Sequence, residues 1–82
     1  MGTNVTNHVL TRTEEDITFV TEDIKVEYWM INAPKQEGVY VVCRDYSGSS
    51  FPLMWGHNVL MFDLQCDACG AALICAEIEA KQ

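Results

Sequence analysis

"DIKVEYWMIN", residues 23–32, alternates with a period of two. Ile24, Val26, Tyr28 and Met30 point one way along an extended chain, and Lys25, Glu27, Trp29 and Ile31 point the other. "VYVVCRDY", residues 39–46, has the β-branched and aromatic content of a second strand. Between them "APKQEG" (33–38) sets polar residues between Pro34 and Gly38, the composition of a turn. These three stretches predict a β-hairpin, and the rest of the fold is read outward from it.

Downstream, "SGSS" (47–50) is a second turn and "FPLMWG" (51–56) a short strand whose Pro52 suits an edge or a first strand position. "HN" (57–58) turns the chain again, and "VLMFDLQ" (59–65) is a further strand. Upstream, "TEED" (13–16) has the form of a helix N-cap with acids in its first turn, but the β-branched residues of "DITFVTE" (16–22) favour an extended segment. The C-terminal "DACGAALICAEIEAK" (67–81) is ambiguous. Its alanines, leucine and glutamates favour a helix capped by Asp67, yet Ile74, Ala76, Ile78 and Ala80 alternate with Cys75, Glu77, Glu79 and Lys81. The alternation leans the reading to a strand over 72–80, with the cysteine pair in the turn before it. The expected fold is mainly β, or α+β with one short helix: an antiparallel meander of five to six strands, curled towards a small barrel.

A chain of 82 residues has room for one core, and 49% hydrophobic against 21% charged residues favours a folded globule. Residues 1–6 read as a flexible start and 7–82 as a single domain. No apolar run reaches the roughly 18–20 residues that span a bilayer. "MGTNVTNHVL" lacks the basic-then-apolar pattern of a secretory signal, so a soluble, cytoplasmic protein is expected. "MGTNVT" also meets the short myristoylation pattern through Gly2 and Thr6, and "NVT" (4–6) is formally a glycosylation sequon.

Charge narrows function further. Twelve acids against five bases give a net charge of −7, which opposes direct binding to nucleic acid. Six of those acids, Glu14, Glu15, Asp16, Glu22, Asp23 and Glu27, crowd into residues 14–27 with Lys25 as the lone base. Such a stretch serves either as a solvated face that keeps a small protein soluble or as a surface that docks on a basic partner. The aromatics Trp29, Tyr40, Tyr46, Phe51 and Trp55 gather around the hairpin, where most of them suit a core. Trp29 shares a strand side with Lys25 and Glu27, so it is the aromatic expected to stand exposed among acids as a binding anchor. His8 and His57 have no sequence-local catalytic partner and there is no glycine-rich phosphate loop, so no enzymatic activity is expected.

Cys66, Cys69 and Gly70 in "LQCDACGAA" resemble the knuckle of zinc-ribbon proteins, in which two thiolates face one metal and the glycine lets backbone amides turn to the sulfurs. That family brings a second Cys-x-x-Cys pair, which this chain lacks. The resemblance therefore implies that two of Cys43, Cys75 and His57 complete the four ligands zinc requires. Plain buried thiols are the alternative, for which Cys43 and Cys75 are suited, and no cofactor is then needed. A thioredoxin-like redox pair expects its cysteines at a helix start within a βαβ unit.

In size and acidity the chain is similar to small phage-encoded inhibitors, anti-CRISPRs and DNA mimics among them. That similarity implies an inhibitor in the host cytoplasm that blocks a nucleic-acid-binding protein. A zinc-braced structural or adaptor module is the alternative. Exposed strand edges would also allow a twofold dimer.

Overall fold

A computed structural model describes residues 10–32 and 36–81. Along the chain these form β1 (Leu10–Arg12), β2 (Thr18–Phe19), β3 (Ile24–Ile31), β4 (Glu37–Tyr46), β5 (Ser49–Pro52), β6 (Met54–Trp55), β7 (Asn58–Val59) and α1 (Gln65–Ala80). The expected flexible start at 1–6, His8 and Pro34 of the first turn lie outside the described residues.

The hairpin forms as expected: β3 and β4 pair antiparallel from Ile24 opposite Arg44 to Ile31 opposite Glu37. Both β1 and β2 pair with the far edge of β3, β1 against Trp29–Ile31 and β2 against Lys25–Val26. β5 pairs with the end of β4 after a two-residue turn, in which Ser47 and Gly48 both take positive φ (51° and 84°). That conformation matches the twist of the flanking strands, and the glycine adopts it without strain. Where β5 leaves β4, Phe62 takes its place, exchanging backbone hydrogen bonds of 2.8 and 2.9 Å with Tyr40. The result is a five-stranded antiparallel sheet curled into a half-barrel, with β6 and β7 as a separate small hairpin.

The sheet is covered on both faces. On one, Ile24, Val26 and Val42 pack under Ala68 and Ala72 of α1. On the other, Trp29, Ile31, Val39, Val41 and Cys43 form a second cluster joined by Leu10 and Val59. Gly38 lies beneath the Tyr28 ring, which fills the place a Cβ would take, and that ring packs on Tyr40 at a centroid distance of 5.3 Å.

The strand expected over 72–80 is corrected to helix. Ala68 and Ala72, four positions apart, are both fully buried, so the three-to-four-residue period decides the segment and the alternation further along it does not. Two small side chains let the helix lie close on the sheet, and alanine, leucine and glutamate carry little entropic penalty there. Asp67 sits in the first turn and does not cap it; the capping position is Leu64, with no side-chain bond. The strands expected over 51–56 and 59–65 are also shorter: the first divides into β5 and β6, the second reduces to β7 and the Phe62 bridge. Among the described residues no helix is long and apolar enough to cross a membrane.

Candidate functional site: an acidic sheet edge

Because β1 and β2 share one edge of β3, the chain between them must leave the sheet and return, and the chain after β2 must reverse. Both excursions carry acids. In the first, Thr13 binds back to β3, its amide and hydroxyl donating to the Tyr28 carbonyl at 3.3 and 2.5 Å, while Glu15 N–H donates to the Thr13 hydroxyl at 3.3 Å. Asp16 turns the loop with φ of 50°. In the second, the Val20 and Thr21 amides donate to the Ile24 carbonyl at 2.8 and 3.0 Å, and the Thr21 hydroxyl accepts from the Asp23 and Ile24 amides at 3.2 and 3.0 Å. A threonine thus pins each loop, using its hydroxyl as a substitute backbone partner.

These loops hold Glu14, Glu15, Asp16, Glu22 and Asp23, all exposed. Tyr28 and Ile24, which anchor them, are four positions apart on β3, about 13 Å along the edge. Between the two loops β2 presents Phe19, 65% exposed, with Ile17 beside it at 40%. Lys25 Nζ stands 5.8 Å from the Phe19 ring centroid. Five of the six expected acids therefore come together on one edge, around an aromatic side chain.

Glu27 and Trp29 do not join them, which corrects the expected anchor. Glu27 is 2% exposed and Trp29 7%, Trp29 within the second core cluster and Glu27 hydrogen-bonded to its indole. Arg12 Nε and Nη2 donate to the two Glu27 oxygens at 2.9 and 2.6 Å, the Trp29 indole donates at 2.9 Å, and Lys25 Nζ lies at 3.2 Å. Burial pushes the Glu27 pKa up, but the hydrogen bonds from Arg12, Trp29 and Lys25 outweigh it and hold the carboxyl below its usual range. The bond to Glu27 likewise raises Arg12. Lys25 also reaches Asp45 at 3.7 Å. The alternation in residues 23–32 is as read; what differs is that the charged side faces inward. The apolar run Val39–Cys43 carried that signal, since a strand hydrophobic on both sides is one buried on both.

The exposed indole is Trp55, at 74%. Near it, Tyr46, Phe51 and Met54 line a groove of about 250 Å³ against Cys75 and Glu79 of α1. Arg44 bridges the groove to Glu79 at 2.6 Å.

The expected metal ligands disperse. Cys66 and Cys69 lie in the first turns of α1, not in a knuckle turn, and Cys75 follows two turns on. Cys43 is buried on the opposite sheet face, with its thiol pushed up to about 12 by burial and by the Glu27 charge. His57 is exposed in the turn between β6 and β7. Among the described residues no three His, Cys, Asp or Glu side chains converge to hold a metal ion. Cys66 and Cys69 do stand at a helix start, as a redox pair would, but the described sheet is antiparallel and holds no βαβ unit.

The architecture is that of a small antiparallel half-barrel with one covering helix, and its candidate site is a sheet edge bearing exposed carboxylates. Comparison with protein-family models, with curated proteins and with solved structures finds no match.

Proposed function

We propose that this protein is a non-enzymatic binding protein that docks its β1–β2 edge on a basic protein surface, one of the kind that otherwise holds nucleic acid. One observation carries the reading: five exposed carboxylates on two threonine-pinned loops share a sheet edge with an exposed phenylalanine. Acids placed only to solvate a small domain need no such pinning and no aromatic neighbour. A cationic groove supplies what the edge lacks, and Phe19 gives an apolar contact at its centre. Occupying that groove blocks nucleic acid by competition, the inhibitory role expected of a phage-encoded protein of this size and charge.

The test is affinity capture from a bacterial lysate with the full chain and with the variant E14K/E22K/D23K, whose substitutions are all at exposed positions. Captured proteins should be basic, should be released as salt rises through a few hundred millimolar, and should be displaced by double-stranded DNA. The variant should keep its circular dichroism and thermal transition and capture none of them. Recovery of the same proteins by the charge-reversed variant would refute the proposal.

A further inference from the structure

One side of α1 is spent on the sheet through Ala68 and Ala72. At 100° per residue, the opposite side carries Asp67, Gly70, Ile74, Ile78 and Lys81, spaced three, four, four and three apart. Ile74 and Ile78 are 60% and 54% exposed, and a Cβ added at Gly70 would meet nothing within 4 Å. Within one copy this stripe makes little sense. A glycine inside a helix costs stability, two isoleucines face water, and no neighbouring element uses either.

We propose that two copies of this chain associate through α1, the helices packed antiparallel about a twofold axis at Ile74. In that register positions equally far from Ile74 meet. Ile74 packs on Ile74 of the second copy, and Gly70, four positions before the axis, receives Ile78, four after it. Asp67 and Lys81, seven positions either side, form two ion pairs across the interface. The opposite signs at the two ends select the antiparallel orientation, because a parallel pair would set Lys81 against Lys81 and Asp67 against Asp67. Glu77 lies on the flank, near Ala71 of the second copy, where it stays in water.

The net charge of −7 would drive copies apart, so the position of the acids matters. Gln65 faces β2, its Nε2 3.1 Å from the Thr18 hydroxyl. It is nine positions before Ile74 and so half a turn from the stripe, which puts the acidic edge on the far side of the helix. Leu73, one position before Ile74 and 54% exposed, flanks the stripe and adds apolar surface to it. That side chain widens the helix-to-helix contact, towards the roughly 1,200 Å² of a stable interface.

Sedimentation equilibrium of the full chain tests this, with Ile74→Glu, Asp67→Lys, Lys81→Asp and the double charge swap. The wild type should be a dimer at micromolar concentration. Ile74→Glu should be monomeric with unchanged circular dichroism. Each single reversal should weaken the dimer about tenfold, turning two attractions into two repulsions, and the double swap should restore it. A wild-type monomer, a dimer indifferent to Ile74→Glu, or a double swap no better than either single change would overturn the proposal.

Discussion

Glu27 is the residue on which the inner face of the sheet turns. Its carboxylate satisfies Arg12, Lys25 and the Trp29 indole at once, so replacing it strips the buried indole of its acceptor and leaves Arg12 to water and Lys25 to Asp45. Glu27→Ala should cost about 2 kcal/mol by urea denaturation at pH 7, less than the loss for a wholly buried ion pair because Arg12 is 45% exposed. Because its folded pKa is lowered, its stabilisation is present above the ordinary value of 4.5 and is lost as pH falls through the folded value. Wild-type stability should therefore drop below about pH 4.5 by more than that of Glu27→Gln, and parallel pH profiles would contradict this. Gly38 is a second point of contact. Gly38→Ala drives a methyl into the Tyr28 ring and separates it from Tyr40, with an expected loss of about 1–2 kcal/mol in the same assay. Thiol reactivity should follow burial, with Cys66 alkylated first and Cys43 only on unfolding, measured by peptide mass mapping over time.

Among the elements, the antiparallel pairing of β3 with β4 was legible, because period-two alternation and β-branched composition marked both strands, although β4 begins at Glu37, inside the expected turn. α1 was not. Its composition favoured a helix while residues 74–81 alternated like a strand, and the two signals are resolved only by the sheet face that Ala68 and Ala72 must cover. Two substitutions probe the helix. Leu64 holds the N-cap with extended backbone (φ −115°, ψ 138°) and no side-chain bond, and it is 57% exposed, so Leu64→Asp should stabilise by about 1 kcal/mol. Ala72→Leu inserts bulk where the helix rests on Val26 and Val42 and should destabilise by about 2–3 kcal/mol. If chemical denaturation finds both neutral, the helix does not pack as described. The loops at the β1–β2 edge were partly legible: their acids and threonines were visible, but that β1 and β2 return to the same edge of β3 was not, since such pairing joins segments with no local mark.

For the molecule as a whole, an edge bearing Glu14, Glu15, Asp16, Glu22 and Asp23 stores repulsion within a protein of net charge −7. Salt screens that repulsion more than it weakens the buried Glu27 cluster, so the thermal midpoint should rise between about 10 mM and 500 mM sodium chloride. Glu22→Gln/Asp23→Asn should flatten the rise, and a midpoint that falls with salt would show that the edge is not strained by its charge. The central hairpin, the alternation of Ile24–Ile31 and the crowding of acids before it are all written in short stretches, because backbone preference and side-chain period act over a few residues. Which side of that strand faces inward, whether the C-terminal segment coils or extends, and that Phe19 and Trp55 stand in water while Trp29 is sealed were decided by tertiary packing. Burial belongs to whatever covers a face, and here the covers, α1 on one side and the curl of the sheet with β1 on the other, come from opposite ends of the chain.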